Sequence, residues 1–467
     1  MKRISMISSW VTLMVLLCIL ILGFTLRIGS AERTVVMNPL RADAGQYFMY
    51  AYNLRYKHIY SLQVGNIKDL NSLVLPDSVR SPGYPLFLTP FLDGTSFKSF
   101  VHRVVTAQVI LSTLSILLTY LLCKGFLPSA WALAAALLVA ISPHLIIPNS
   151  FIITETLFCF LLLVIGYGVT LFSSKPSAIP ALLIGILIGL ASLVRPILEY
   201  LPFLLSFWLL VQYRWRGGLR YGGVLLLGFF LVFLPWILRN AVTLGAFSDD
   251  TLLINFFHHG MYPGFTFEGV PESRGYPYHF DPRSPDISKD LASVLSEILR
   301  RLQDRPWEHV SWFLLEKPVF FWSWDDVQGA GGAFVYPVAR SPYFSEALFR
   351  WSDLLMFVIH WPVIILGGLG SLTVWLPSAE RTCSQRCLFI TRFLSLVLVS
   401  YTVLHMVGAP IQRYSFPLRP YLYSMTVFLA YFLWRTTRAK LLSSKTKKPP
   451  SDLRNSCDHT PSFPQKI

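Results

Sequence analysis

The feature that most constrains this chain is the recurrence of long apolar runs that carry almost no charge. A helix needs ~20 such residues to cross a bilayer, and only helices or closed barrels satisfy every backbone N–H and C=O inside lipid. Runs of this kind lie at about Ile7–Leu26, Val104–Leu122, Ala130–Ile147, Phe151–Phe172, Ile179–Val194, Ile197–Val211, Tyr221–Leu238, Leu354–Leu376, Leu388–Val407 and Leu418–Trp434. With 54% hydrophobic and 14% charged residues the chain does not read as an ordinary soluble enzyme, so its net charge of +15 is a matter of placement and not a sign of nucleic acid. The expected fold class is an all-α polytopic membrane protein: a bundle of about ten transmembrane helices, with amphipathic helices in two long outer loops.

An even number of crossings puts both termini on one side. If that side is the cytoplasm, the inner loops hold Lys2, Arg3, Lys124, Lys175, Arg214, Arg216, Arg220, Arg381, Arg386 and the tail from Arg435 to Lys448, and the positive-inside rule is met throughout. The pair of spans around Arg195-Pro196 can also be drawn as one kinked helix, but that would put Tyr213 to Arg220 outside, against the charge rule. A hairpin with Arg195 in its outer turn is therefore expected. The N-terminus could be a cleaved signal peptide ending near "RIGSAE"; Arg27 interrupts that approach, and a retained anchor gives the even count. The chain is expected to sit in a bacterial inner (plasma) membrane with both termini cytoplasmic. Residues 1–435 form one transmembrane domain with outer loops at about 29–103 and 240–353, and 436–467 form a basic, disordered tail suited to anionic lipid. No cysteine falls in an outer loop, so no disulfide framework is implied, and "CSQRC" at Cys383 reads as two thiols before half a metal site.

Ionisable residues gather where the outer loops meet the membrane. Asp43 lies in "NPLRADAGQYFMYAYNL", Asn38 to Leu54, a short amphipathic helix with Tyr47, Tyr50, Ala51 and Leu54 at helical spacing. Glu155 falls one turn inside the fourth span, Arg195 in the hairpin turn, Arg239 in "LPWILRN" and Arg413 in "GAPIQRYSFPLRP". Charges at such depths pair or line a cavity. Two carboxylates and three guanidiniums on one face suit a phosphate-bearing substrate beside a general base. Blander readings stand beside this one: arginines snorkelling to headgroups, Glu155 as a structural partner, Asp43 as a helix N-cap, and "SPGYPLF", Ser81 to Phe87, as a rigid turn. In the second loop, Ile287, Leu291, Val294, Leu295, Ile298 and Leu302 make one apolar stripe. Trp307, Trp312, Trp322 and Trp324 follow it and suit the headgroup level.

The first-loop motif with "SPGYPLFL", the "TETLF" helix start, "GLASLVRP", "LPWILRN" and "RYSFPLRP" together resemble the GT-C glycosyltransferases of the family of protein O-mannosyltransferases, the lipid A aminoarabinose transferase and the lipopolysaccharide galacturonosyltransferases. The resemblance implies transfer of a sugar from a polyprenyl-phosphate donor to an acceptor outside the cytoplasm, by a metal-independent, inverting mechanism. It implies Asp43 as catalytic base, with Glu155 as the second carboxylate. Arg413, Arg195 and Arg239 would hold the donor phosphate, and Tyr47, Tyr84, Asn240 and Tyr414 would shape the substrate site. Ala44 follows Asp43 where the mannosyltransferases carry an Asp-Glu pair, which turns the expected acceptor from protein to lipid or glycan. The expected partners are the polyprenyl-phosphate sugar, that acceptor and membrane lipids, with no nucleic acid, no metal and no cofactor beyond the lipid-linked donor. Asp249–Asp250, Asp325–Asp326 and His258–His259 remain either solvated turn residues or contacts to a metal or sugar. The alternative reading, a transporter or flippase of a lipid-linked glycan, calls for repeated halves and a polar path to both faces; this chain has no evident internal repeat and its ionisable cluster is one-sided.

Overall fold

The computed structural model describes residues 2–65, 73–94 and 96–446. It is helical nearly throughout. The helices that position the site are, in chain order, α1 (Lys2–Arg33), α2 (Asp43–Lys57), α3 (Gly83–Leu88), α4 (Phe97–Lys124), α5 (Ser129–Ile141), α6 (Glu155–Ser174), α7 (Ala178–Val194) and α8 (Leu201–Leu244). They continue with α9 (Thr251–Gly260), α10 (Leu291–Asp304), α11 (Ala347–Val358), α12 (His360–Thr373), α13 (Gln385–Val407) and α14 (Arg419–Thr446). Among the described residues, five helices are long and apolar enough to cross a membrane, or seven if each of two bent pairs makes one crossing.

Both bent pairs correct expected straight spans. Ala130–Ile147 breaks after α5 and turns by 69° into Pro143–Ser150, because Pro143 cannot continue the hydrogen-bond ladder and holds Ser142 extended (φ −70°, ψ 117°). The break leaves the last carbonyls of α5 without helical partners. Arg27 of α1, fully buried, takes two of them, donating to Val139 O (2.9 Å) and Ala140 O (2.9 Å), and also to Ser112 Oγ of α4 (2.7 Å). The residue that interrupts the first apolar run is thus a bolt between three helices. Leu354–Leu376 is likewise divided, α11 meeting α12 at 50°, where the buried His360 holds Trp322 O at 2.9 Å. The fourth span also starts later than expected, so Glu155 is the first residue of α6 instead of lying a turn inside it.

The chain reverses twice between α7 and the end of α8. Within α8, Arg214 has non-helical backbone angles (φ 58°, ψ −177°), and Ser206 Oγ donates to Gly222 O across the break (3.1 Å). The two limbs therefore fold back on each other, so closely that a Cβ on Gly218 would stand 2.3 Å from Leu210 Cα. Gly185 packs on Leu225 and Gly189 on Val232, which sets α7 parallel to the second limb and antiparallel to the first. The turn carrying Arg195 is thus a hairpin turn. Phe172, Tyr213, Tyr221 and Phe389 form one aromatic cluster at the opposite end, beside the turns that hold Lys175 and Arg214 to Arg220. The 20 residues of α6 separate that end from Glu155 by ~30 Å at 1.5 Å per residue.

The two long segments between these helices meet each other. Val35–Val36 pairs antiparallel with Val338–Arg340, and the buried Lys317 donates to Val407 O (3.2 Å) and Gly408 O (2.8 Å), capping α13. The expected stripe holds in part: Ile287, Val294 and Ile298 pack into one cluster with Met261 and Tyr262, while Leu295 faces outward and Asp290 starts a new helix within the stripe by accepting from Ser293 N (2.7 Å). Of the four tryptophans expected at headgroup level only Trp307 is exposed, at 84%; Trp312, Trp322 and Trp324 are buried in packing. The expected disordered tail begins as helix, since α14 runs on to Thr446; residues 447–467 lie outside the described residues.

Candidate active site

The site is built around the first residue of α2. Ala42, just before it, holds a left-handed backbone (φ 49°, ψ −120°), a strain of order 1–3 kcal/mol for a residue with a Cβ. The N-cap position is Ala42 and not Asp43, and both carboxylate oxygens of Asp43 are engaged away from its own helix, so the N-cap reading fails. Its carboxylate is held between two guanidiniums: Oδ1 accepts from Arg80 Nη2 (2.7 Å) and Oδ2 from Arg413 Nη2 (2.7 Å). Arg80 is fixed in turn by Gln46 Oε1, one turn along α2 (2.7 Å), and lies 5.5 Å from the Tyr47 ring centre. Arg413 comes from a 3₁₀ segment, Gln412–Leu418, between α13 and α14. Burial works to raise the Asp43 pKa, but the Arg413 and Arg80 charges outweigh it and bring it down to about 2.

Asp43, Arg80 and Arg413 line a cavity of about 570 Å³ together with Arg41 and Tyr414. The second long segment closes it with His259, Tyr276, Tyr278, His279, Asp326, Gln328 and Tyr336. The cavity thus carries three guanidiniums, of which Arg80 and Arg413 keep donors beyond those engaged by Asp43, a donor set of the kind that can pair with an oxyanion. The apolar remainder includes Leu252, Phe256, Val335 and Ile411.

The other expected site residues stand away from this cavity. Glu155 is ion-paired with Arg195, whose Nε donates to Thr154 Oγ1 (2.8 Å), and the pair is buried at the foot of α6. Arg195 approaches the site only through Tyr414, its guanidinium 5.0 Å from that ring centre. Arg239 donates to Asp77 O (2.8 Å), Tyr60 O (3.1 Å) and Asn240 Oδ1 (3.0 Å), clamping the first long segment. Asn240 holds Phe247 O (3.2 Å). Tyr84 donates to Gln108 Oε1 (2.8 Å) and packs edge-on against Tyr47 (5.0 Å). Gly83 beside it is required by space, as a Cβ there would meet Leu193 O at 2.6 Å.

Sequence reasoning missed Arg80, the residue immediately before the "SPGYPLF" motif; an arginine in the same loop as Asp43 was the available signal. It also missed the aromatic wall Tyr276, Tyr278 and Tyr336. Among the described residues no three His, Cys, Asp or Glu side chains gather as a metal-binding group. His259 is stacked on Tyr278 (3.6 Å between centres, 6°) and His258 faces Tyr262 OH (3.2 Å). Asp249 and Asp325 serve as turn residues, accepting from Thr251 N and Gly332 N at 2.8 Å each.

No family model matches the sequence, and no curated protein matches it. Solved structures do. The archaeal oligosaccharyltransferase AglB from Archaeoglobus fulgidus, in complex with an inhibitory peptide and a dolichol-phosphate, superposes with a TM-score of 0.52 at 15% identity over 97% of this chain and 53% of that one. ArnT from Cupriavidus metallidurans, bound to undecaprenyl phosphate, matches at a TM-score of 0.47 and 13% identity, over 94% of this chain and 63% of that one. The likeness to AglB shows that this chain shares its membrane-embedded helical fold. The chain spans about half the length of that enzyme.

Proposed function

We propose that the protein transfers a sugar from a polyprenyl-phosphate donor to a lipid or glycan acceptor, at the extracytoplasmic face of a membrane that it crosses about ten times. The observation that carries this reading is the Asp43 carboxylate held between Arg80 and Arg413 on the wall of a cavity large enough for a phosphosugar. The basic turns at the far end of the bundle support a cytoplasmic position for that end and for both termini. The solved neighbours, one complexed with dolichol-phosphate and one with undecaprenyl phosphate, support the donor class.

The geometry supports a sequence of steps. A donor phosphate entering the cavity competes with Asp43 for the guanidiniums of Arg80 and Arg413. As they turn to the phosphate, the two charges that hold the Asp43 pKa down are drawn away, and burial, which acts in the other direction, dominates. The carboxylate becomes a competent base only with donor bound. The acceptor oxygen then forms its bond to C1, the C1–O bond to phosphate breaks with its electron pair going to the phosphate, and the hydroxyl proton passes to Asp43. Direct attack by the acceptor on the face of C1 opposite the phosphate inverts that carbon without a covalent enzyme intermediate, while the arginines hold the leaving phosphate more strongly as its charge grows and take the charge that a metal ion would otherwise offset. Glu155 acts here as a positioning residue, through Arg195 and Tyr414.

The test is binding and turnover with defined lipid. Arg413→Lys keeps the positive charge but loses the paired donors. It should weaken undecaprenyl phosphate binding by ~10-fold or more, as expected for a charge-assisted hydrogen bond, whereas Arg438→Lys should change nothing. Wild-type affinity and rate in Arg413→Lys would remove the phosphate site from this cavity.

A further inference from the structure

The stretch from Asp326 to Tyr336, which closes part of the cavity, is tied down by hydrogen bonds to distant segments. Asp326 Oδ1 accepts from Gln328 N (3.3 Å), and Val327 N donates to Gln412 Oε1 (3.0 Å), joining the loop to the segment that carries Arg413. Gln328 Nε2 donates to Gly275 O (2.7 Å) and Gln328 O accepts from Tyr276 OH (3.0 Å). Yet Asp326 Oδ2 and Tyr336 OH have no hydrogen-bond partner among the described residues, although Asp326 is 3% exposed and Tyr336 4%. Both line the cavity. A buried polar atom without a partner is destabilising, and here two of them belong to side chains that line one cavity, where the polar groups of a ligand can supply the missing partners.

We infer that Asp326 and Tyr336 form the sugar-recognition subsite of this cavity, binding hydroxyl groups of an uncharged sugar. The inference rests on the glycosyl-transfer reading above. A carboxylate oxygen needs an O–H or N–H donor, a phenol both gives and accepts, and a saccharide ring presents several hydroxyls that do either. Charge narrows the class. Both signs of charge stand on this cavity, Asp43 and Asp326 beside Arg41, Arg80 and Arg413, and a neutral hydroxylated sugar is the ligand that meets repulsion from neither. Burial pushes the Asp326 carboxyl up to about 6 against the pull of Arg413, which leaves it an anionic acceptor at neutral pH.

Three probes test this with the full chain in detergent: undecaprenyl phosphate alone; undecaprenyl phosphate carrying glucose, mannose or galactose; and methyl glucoside, mannoside or galactoside added after the site is filled with undecaprenyl phosphate. In the wild type at least one sugar of either kind should add to binding. Asp326→Ala should reduce that sugar-dependent gain by ~10-fold or more and Tyr336→Phe by ~3- to 10-fold, with affinity for undecaprenyl phosphate alone at or above that of the wild type, since Asp326→Ala removes an anion that faces Arg413. Loss confined to the lipid-linked sugars assigns the subsite to the donor, and loss confined to the methyl glycosides assigns it to the acceptor. Variants that match the wild type with both kinds of sugar would overturn the inference, as would a wild type that binds undecaprenyl phosphate and gains nothing from any sugar. A wild type that does not bind undecaprenyl phosphate would instead overturn the glycosyl-transfer reading itself. Tyr336→Phe removes a single atom and keeps the test open if Asp326→Ala does not fold. Asp326→Asn should raise the melting temperature while it weakens sugar binding, a combination that a purely structural residue would not give.

Discussion

Asp43 with its two arginines and Glu155 with Arg195 are the same chemistry in two settings. Both are carboxylates at the first turn of a helix, both are paired with guanidinium, and both lie near the cavity end of the bundle. Asp43 stands on the cavity wall with its side chain 22% exposed, and the guanidiniums that hold it keep donors to spare. Glu155 is sealed, at 4%, against a single arginine that is also tied to Thr154 and covered by Phe158 and Tyr414. An open ion pair can exchange its anion for a substrate's. A closed one can only hold the fold in place, because parting its members leaves a bare charge in apolar surroundings.

The largest effect should follow from Asp43→Asn. The amide keeps the volume and loses the base, so turnover should fall by ~10²-fold or more. At the same time Arg80 and Arg413 lose their internal competitor, and undecaprenyl phosphate should bind at least as tightly as before. A variant that keeps its rate, or one that loses lipid binding and rate together, would show that the open pair is structural after all.

Glu155→Gln should act on the other quantity. Removing one member of a buried pair typically destabilises by ~3–5 kcal/mol, so the melting temperature in detergent should drop clearly, while the folded fraction retains turnover within a few-fold. Loss of turnover equal to that of Asp43→Asn at an unchanged melting temperature would mean that Glu155 reaches the substrate, and the contrast between open and sealed pairs would collapse.

The two carboxylates that line the cavity should also differ in how they link stability to pH. Asp43 titrates at about 2 in the fold against an ordinary 3.8, so its contribution is present above 3.8 and is lost as pH falls toward 2. Asp326 is displaced the other way, to about 6, and the charges facing it are Arg413 and Glu155. The folded chain holds this proton more tightly than the unfolded one, so stability falls as pH rises from about 3.8 to about 6. Asp326→Asn should flatten the melting temperature across that window and leave the acid limb untouched. An unchanged slope would mean that Asp326 is not the group titrating there.

The contrast also explains what was legible in the sequence. Asp43 and Arg413 stood out because each is an ionisable residue where an outer segment meets the membrane boundary, and Arg214 to Arg220 fixed the α8 hairpin through the charge rule alone. Pro143 was visible but read as part of a crossing, since a proline in an apolar run can kink a span or end it. Whether an arginine faces a cavity is not written in its neighbours: Arg195, Arg239 and Arg413 share the same local signature, and only the packing of distant segments separates them. Arg80 and Tyr336 lie in loops with no period to read, Asp326 was legible only as one of several candidate metal or sugar contacts, and the wall they form depends on Gln412 meeting Val327 and Tyr276 meeting Gln328 across the chain.

Arg239 gives the smallest effect and the finest test of that separation. From sequence it is as good a phosphate ligand as Arg413. In the fold its guanidinium already serves Asp77 O, Tyr60 O and Asn240 Oδ1, between the rings of Tyr60 and Trp236, and it does not line the cavity. Arg239→Lys keeps the charge and at least one of these contacts, since an ammonium can reach a carbonyl but not span two of them. The expected loss is ~1 kcal/mol of stability, in line with one net hydrogen bond, with undecaprenyl phosphate affinity and turnover within ~2-fold of wild type. If Arg239→Lys instead weakens lipid binding as Arg413→Lys does, while melting normally, then the phosphate lies nearer the first long segment than the cavity around Asp43, and position on the cavity wall is not what distinguishes a substrate-binding arginine in this bundle.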